Sequence, residues 1–297
     1  MTFQGLIVPV PTLFDERGEV DPERTAEFTQ GLRAAGADRI FALGSLGEFP
    51  SVTREERATV IAAVVAASPK AKDVWAGTGA PSTREAVSLS QAAEGSGATA
   101  LVVVPPYYLH PALGAIDRYY RDIRAAVSIP VYAYNIPSLV GYALPPSLVH
   151  RLGTERILAG VKDTSESLAS LEAFLEGAPP GFEVLPGDDH LAAPAIARGA
   201  SGAIMGLANL FPKLAQNLIR AARSNAGSEV TRLQNLIETL QFVVAGAPFP
   251  SAGKFLAARI RGVRVGYRSP YDALTPDEEA HLLSRWTPVE SRFAEFR

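Results

Sequence analysis

The sequence predicts an α/β protein built as a (β/α)8 TIM barrel with a C-terminal helical extension. Two observations predict this fold: short β-branched segments recur eight times, and helical stretches lie between most of them. Several of the eight segments are apolar without alternation, which is typical of parallel strands buried on both faces. Eight successive strand–helix units are explained more simply by a closed parallel barrel than by an open sheet.

The eight predicted strands share a short apolar stretch followed by a loop. They are residues 6–10, 40–44, 74–77, 100–104, 131–134, 157–161, 183–185 and 202–205. Capping residues mark the starts of several helices. Asp21 precedes Pro22, which suits an N-cap with proline at the first helical position. Segments 53–56 and 82–85 have the hydroxyl-to-glutamate spacing of a capping box.

The pattern changes near residue 212, where strand segments stop. Segments 213–224, 229–244 and 276–286 have helical patterns, and Pro288 disfavours an unbroken continuation of the last one. Part of this region completes the barrel, and no linker or low-complexity stretch separates it from the rest. We therefore predict one domain, with the barrel in residues 1–225 and the helical extension in residues 226–297.

Composition restricts the class of protein. The 297 residues include 47% hydrophobic and 20% charged residues, a balance typical of a globular protein with a large core. The net charge of -3 comes without a basic patch, which argues against a nucleic-acid partner. Cysteine is absent, so disulfides and thiolate chemistry are excluded. The N-terminal residues lack a signal-peptide pattern and no apolar run could cross a bilayer, so we expect a cytoplasmic protein without a membrane partner.

Lys162 is the candidate nucleophile. It follows an apolar segment at the predicted end of strand six, where active-site groups of such barrels lie. Desolvation there disfavours the ammonium form and frees the amine for attack on a carbonyl. The alternative is a lysine paired with a carboxylate such as Asp163. The other four lysines fall in or beside helices or in the C-terminal region: Lys70, Lys72, Lys213 and Lys254.

Other polar groups follow neighbouring strands. Tyr134 could move protons as a phenol, or it could be an ordinary core or interface tyrosine. Loop 44–48 has glycines flanking Ser45 and could point backbone N–H groups at an anion, although an ordinary tight turn has the same pattern. Residues 188–190 could bind a cation, but an N-cap of the next helix is favoured. The four histidines lack a paired metal-ligand spacing, so no metal is expected.

The chain resembles the dihydrodipicolinate synthase and N-acetylneuraminate lyase family over nearly its whole length. The resemblance is carried by six motifs that occur in the family's order. They are Gly-Ser-Leu-Gly-Glu at 44–48, Pro-Tyr-Tyr at 106–108, Tyr-Asn-Ile-Pro-Ser at 134–138, Gly-Val-Lys-Asp-Thr at 160–164, Gly-Asp-Asp at 187–189 and Gly-Ala-Ile at 202–204.

The resemblance implies roles for four catalytic residues. Lys162 matches the lysine that forms an imine with a 2-oxo acid, and Tyr134 matches the general acid/base. Ser45 matches the hydroxyl that links Tyr134 to Tyr108, a tyrosine that reaches across a dimer interface in the family. The imine needs no separate cofactor and no metal. The implied partners are a small-molecule 2-oxo acid and further copies of the chain in a homotetramer, a dimer of dimers.

The resemblance also implies a substrate-binding set. The backbone around Ser45 and Leu46 would hold the pyruvyl carboxylate, and Gly187 and Ile204 would frame the site. Thr164, two residues after the lysine, matches a threonine that meets substrate hydroxyls in 2-keto-3-deoxy sugar acid aldolases. Asp189, together with the run Asn-Ile-Pro at 135–137, suits the sialate lyases.

Departures from the motifs narrow the expected substrate. Leu139 stands where lysine-precursor synthases carry arginine, and leucine cannot replace a bidentate contact with a carboxylate. Leu46 replaces a second hydroxyl residue and makes the pocket more apolar. In those synthases lysine binds at a feedback site. At the positions that would form this site, the chain has Pro81, Arg54 and Arg57 instead of the expected amide and histidines.

These departures favour a lyase that cleaves a 2-keto-3-deoxy sugar acid, such as 2-keto-3-deoxygluconate, to pyruvate and an aldehyde. Several alternatives stay open within the family: a sugar-acid dehydratase, an N-acetylneuraminate lyase with His190 in place of the usual glutamate, and a 4-hydroxy-tetrahydrodipicolinate synthase. Outside it, the alternatives are a barrel that binds a metabolite without turnover and a metal-dependent aldolase.

Overall fold

Eight parallel strands form the centre of the computed structural model, which describes residues 3–68 and 74–297. The strands are β1 (Leu6–Pro9), β2 (Arg39–Ala42), β3 (Val74–Gly77), β4 (Ala100–Val103), β5 (Val131–Asn135), β6 (Gly160–Asp163), β7 (Glu183–Pro186) and β8 (Ala203–Ile204). Neighbouring strands in the chain pair from β1 to β7, and β8 pairs with β1. Between β7 and β8, the Ser201 N–H donates to the Val184 carbonyl at 3.0 Å. The predicted barrel is confirmed.

Helices connect successive strands and cover the barrel. They are α1 (Pro22–Ala34), α2 (Arg54–Ala66), α3 (Thr83–Gly95), α4 (Leu113–Ala126), α5 (Pro137–Val140), α6 (Pro146–Thr154), α7 (Leu168–Leu175), α8 (Ala192–Ala197) and α9 (Pro212–Arg223). Asp21 caps α1 as predicted, since its side chain accepts from the Arg24 N–H at 2.9 Å. Thr53 and Glu56 form the predicted capping box at α2. At α3 only Ser82 caps, so that predicted box is half formed.

The sixth strand begins later than predicted. Residues 157 and 158 close the end of α6, because the N–H groups of Ile157 and Leu158 both donate to the Leu152 carbonyl. Strand β6 therefore runs from Gly160 to Asp163. Lys162 lies inside this strand rather than after it, and the strand holds its backbone in the sheet.

The extension comprises α10 (Gly227–Val244), α11 (Ser251–Arg261) and α12 (Pro276–Trp286), followed by a 3-10 segment at Glu290–Phe296. The predicted boundary at 225/226 falls between α9 and α10, and the single-domain division stays a prediction. Phe211 of the barrel stacks on Trp286 and Phe293, with ring centroids 6.0 and 5.0 Å away. Helix α11 was not predicted. Within the described ranges, no helix is long and apolar enough to span a membrane.

Candidate active site

A cavity of about 490 Å³ lies at the carboxyl ends of the strands and extends under the C-terminal helices. Nine of the ten predicted site residues line it. They are Ser45, Leu46, Tyr134, Leu139, Lys162, Thr164, Gly187, Asp189 and Ile204. The parallel arrangement explains this clustering, because loops from distant parts of the chain meet at one end of the barrel.

Lys162 and Tyr134 face each other across neighbouring strands. They are direct partners in the register of β5 and β6. The Lys162 Nζ atom lies 3.8 Å from the centroid of the Tyr134 ring and 5.3 Å from that of Phe41. Lys162 is only 5% exposed, although it lines the cavity. The barrel therefore places the Lys162 amine among aromatic rings at the wall of the cavity.

Asp163 is held apart from the lysine. Successive side chains of a strand point to opposite faces. The Asp163 carboxylate accepts from the amide of Asn135 at 2.6 Å and from the Ser165 hydroxyl at 2.9 Å. Burial raises the pKa of this carboxyl group, and the hydrogen bonds from Asn135 and Ser165 oppose the rise. The alternative in which Asp163 is the partner of Lys162 does not fit this geometry.

Two of the three side chains of the predicted proton relay lie close together. The Ser45 Oγ and Tyr134 Oη atoms are 3.4 Å apart, within hydrogen-bond distance. Tyr108 is not part of the cavity of its own chain. It is 89% exposed, and its φ of 73° puts it in the left-handed region, which non-glycine residues rarely adopt. A single chain thus joins Ser45 to Tyr134 and leaves Tyr108 on the surface.

Asp189 lies in the cavity wall and is the first residue of the short 3-10 helix Asp189–Leu191. Its carboxylate accepts from the Leu207 N–H at 3.1 Å, while Asp188 accepts from the Glu166 N–H at 2.8 Å. Neither carboxylate caps the following helix, so the predicted N-cap is wrong. Burial raises the pKa of Asp189 to about 7, against the effect of its backbone hydrogen bonds.

Thr164 presents an unused hydroxyl beside the amine. Its Oγ1 atom is buried and has no hydrogen-bond partner among the described residues. Gly187 forms the cavity wall next to this hydroxyl, since a Cβ on that residue would lie 2.1 Å from Thr164 Oγ1. A buried hydroxyl without a partner is costly unless a ligand meets it. Thr164 is therefore suited to contact a substrate hydroxyl.

The C-terminal extension contributes a wall that the sequence did not predict. Gln241, Val244, Phe249 and Lys254 line the cavity from α10, α11 and the loop between them. Lys254 forms a buried ion pair with Glu48 of the loop after β2. A search for polar groups at the ends of strands could not identify Gln241, Val244, Phe249 or Lys254, because none of them follows a barrel strand. Of the remaining lysines, Lys213 is on α9, and Lys70 and Lys72 lie outside the described residues.

Known proteins of similar sequence and structure share one family. Residues 2–285 match the model of the dihydrodipicolinate synthetase family. The putative 2-dehydro-3-deoxy-D-gluconate aldolase YagE of Escherichia coli K12 is 36% identical over 253 residues, 83% of each chain. The 4-hydroxy-tetrahydrodipicolinate synthase of Neisseria meningitidis serogroup B is 33% identical over 279 residues, 94% of this chain and 96% of the relative.

A solved structure extends the comparison. The crystal structure of YagE from Escherichia coli K12 in complex with pyruvate superposes with a TM-score of 0.91 at 31% identity, covering 97% of this chain and 99% of that one. Members of the matching family are lyases or synthases of the class I aldolase type. With the family model, these relatives and the barrel in agreement, the chain belongs to the dihydrodipicolinate synthetase family.

Proposed function

We propose that this enzyme cleaves, or in reverse forms, a 2-keto-3-deoxy sugar acid to give pyruvate and an aldehyde through an imine on Lys162. One observation carries the proposal: the Lys162 amine lies 3.8 Å from the ring of Tyr134 at the wall of a single cavity. An amine that attacks a carbonyl and a phenol that moves protons are the two groups this cleavage requires. The similarity to a putative 2-dehydro-3-deoxy-D-gluconate aldolase supports the same reaction.

The chemistry follows from these two groups. The Lys162 amine adds to the 2-oxo carbon, and the Tyr134 phenol gives its proton to the departing hydroxyl group. Loss of water leaves a protonated imine and a Tyr134 phenolate. The Tyr134 phenolate takes the proton from the C4 hydroxyl, the C3–C4 bond breaks, and its electrons move into the imine. An aldehyde leaves, and the resulting enamine is protonated at C3 and hydrolysed to pyruvate. Ser45 lies where it can pass protons to and from Tyr134. The imine is the electron sink, so the proposal needs no metal or organic cofactor.

The charges around the cavity favour an uncharged, hydroxylated aldehyde half. The carboxylates of Glu166 and Asp189 belong to the lining, and the Lys254 ammonium is already paired. Leu139 is 63% exposed at the cavity and provides no guanidinium for a second carboxylate. Aspartate semialdehyde, which carries such a carboxylate, would therefore bind poorly, whereas the Thr164 hydroxyl and Asp189 can bond to sugar hydroxyls.

Assembly belongs to the same proposal. We propose a homotetramer of two tight dimers, in which Tyr108 of one chain completes the relay of its neighbour. The exposure of Tyr108 supports this role, since an exposed tyrosine beside the barrel mouth is free to enter another subunit.

Borohydride trapping tests the proposed imine. Pyruvate with borohydride should attach covalently to one lysine, which peptide mass spectrometry should identify as Lys162. The Lys162→Ala variant should lose labelling, and Lys213→Ala, which alters a lysine on the outer helix α9, should keep it. An unmodified protein, or labelling that persists in Lys162→Ala, would refute the mechanism.

A substrate panel with product identification by mass spectrometry tests the specificity. We expect pyruvate to be released from 2-keto-3-deoxygluconate, little condensation of pyruvate with aspartate semialdehyde, and no inhibition by lysine. Efficient turnover of aspartate semialdehyde would contradict the role given to Leu139. Loss of water without release of pyruvate would instead identify a dehydratase that uses the same lysine.

A further inference from the structure

Glu48 and Lys254 form an ion pair in the interior of the protein. Both side chains are only 1% exposed. Glu48 closes the loop that follows β2, and Lys254 lies in the first turn of α11. The pair therefore joins the barrel mouth to the C-terminal extension. It lies at the cavity, since Lys254 is part of the lining.

Stability alone gives little reason for this pair. Burial raises the pKa of Glu48 and lowers that of Lys254, while their mutual attraction opposes both changes. Desolvation of two charges commonly cancels the attraction between them, and apolar replacements of such pairs are often neutral or stabilising. The Lys254 Nζ atom also lies 4.6 Å from the centroid of the Phe14 ring, which gives it an apolar surrounding. A role in the site explains the pair better than a gain in folding free energy.

Hydrogen bonds hold the loop that ends at Glu48. The Glu48 N–H donates to the Ser45 carbonyl at 3.1 Å, and the Thr12 hydroxyl donates to the Gly47 carbonyl at 2.7 Å. Glu48 itself has a φ of 54°, in the left-handed region that glutamate rarely adopts. A residue in that region persists when its surroundings hold it there. The Lys254 ammonium is the group that holds its side chain.

Helix α11 also approaches the loop at Gly253. A Cβ added to Gly253 would lie 3.9 Å from the Leu46 side chain, an ordinary van der Waals distance, so this side chain lies near the first turn of the helix. Two neighbouring residues of α11, Gly253 and Lys254, thus lie close to the loop. Ser45 and Leu46 line the cavity, and Glu48 is held by charge at the end of the same loop.

We infer that Lys254 is a positioning residue, which acts through Glu48 to fix loop 44–48 in the geometry that binds the substrate carboxylate. The inference rests on the proposed function, in which backbone N–H groups around Ser45 and Leu46 hold that carboxylate. Lys254 also neutralises Glu48, whose charge would otherwise repel a carboxylate bound to the same loop.

The test compares pyruvate trapping in the double variant Glu48→Gln/Lys254→Met with the unmodified enzyme. This change removes both charges and keeps both side-chain lengths, so no lone buried charge remains. We expect a similar melting temperature, a half-saturating pyruvate concentration raised at least about tenfold, and a trapping rate at saturation within about threefold. The single Lys254→Met variant should bind pyruvate more weakly still, because Glu48 is left in the interior without the partner that holds its side chain. The matched control, Lys213→Met, should behave like the unmodified enzyme.

A double variant that folds and binds pyruvate with unchanged half-saturation would overturn the inference and leave the proposed imine intact. Absence of trapping in the unmodified enzyme would instead overturn the proposed function. Hydrogen–deuterium exchange of the unmodified enzyme gives a second measurement, which holds even if the double variant does not fold. Pyruvate should slow exchange both in loop 44–48 and in the first turns of α11. Slowing confined to the loop would also overturn the inference.

Discussion

Gly187 leaves the space that the Lys162 side chain occupies. A Cβ at this position would lie 2.8 Å from Lys162 Cε and 2.1 Å from Thr164 Oγ1. Such contacts are far shorter than van der Waals distances, so an added methyl group must displace the lysine or the threonine. The absence of a side chain at Gly187 is therefore part of how the amine is oriented.

We predict that Gly187→Ala lowers the rate of pyruvate trapping on Lys162 by about a hundredfold, because the displaced amine no longer meets the bound carbonyl. Trapping with borohydride measures this directly. Gly227→Ala is the matched control, since a Cβ there meets nothing within 4 Å, and it should trap at the original rate. Equal trapping by both variants would show that the site accommodates the methyl group.

At the scale of elements, the sequence predicted the strands and helices whose residues show a local hydrophobic pattern. All eight strands were found within a few residues, because each is a buried apolar run between loops. Helix α11 was missed, since Pro248, Pro250 and Gly253 are signals of a loop. Its helical state comes from packing of Leu256 and Ala257 in the core, a tertiary effect.

The candidate site likewise contains residues that local patterns predict and residues that they do not. Lys162 and Tyr134 could be predicted because both lie at the ends of apolar strands, and the strand register then brings them together. The Glu48–Lys254 pair could not be predicted, since its two residues are far apart in the chain and no local pattern relates them. Pairing between a loop and a distant helix depends on how the whole barrel closes.

An ion pair joins the first turn of helix α2 to the C-terminal extension. The Glu56 carboxylate accepts from the Thr53 N–H at 2.9 Å and from Arg268 Nη1 at 2.8 Å. The hydrogen bond from Arg268 lowers the pKa of Glu56 to about 2. Because the folded-state pKa lies below that of an unfolded glutamate, the stabilisation is complete above about pH 4.5 and is lost as the pH falls toward 2.

We therefore predict that Glu56→Gln lowers the free energy of unfolding by about 1–2 kcal/mol at pH 7, after allowance for the partial exposure of the pair. The difference from the unmodified protein should shrink as the pH falls from 4.5 toward 2. Urea unfolding across this range measures it. Glu55→Gln, an exposed neighbour in the same turn, should change little at any pH. A difference that stays constant with pH would exclude the Glu56–Arg268 pair as its source.

At the scale of the whole molecule, catalysis should depend on association of chains. If Tyr108 serves a neighbouring site, Tyr108→Phe should lower turnover by about a hundred- to ten-thousandfold while the fold and the oligomer persist. Mixing Tyr108→Phe with Lys162→Ala should restore part of the activity, because some mixed dimers contain one complete site.

The measurement is turnover after mixing, with subunit exchange first verified by native mass spectrometry. Each variant alone provides the baseline. If subunits exchange and activity does not return, Tyr108 does not act across the interface, and its exposed ring has another role.

The pairing of β1 with β8 has a consequence for synthesis of the chain. β1 is made first, yet one of its two neighbours is β8, at residues 203–204. At ordinary translation rates, β1 waits roughly 10–30 s after β2 for this neighbour. During that time one edge of β1 is open to strands of other nascent chains. Pro9 within β1 and Pro11 just after it have no N–H to offer such a strand. Ribosome-stalled chains should therefore become resistant to proteolysis at β1 only after residue 204 has emerged, and resistance before that point would show that β1 is sheltered earlier.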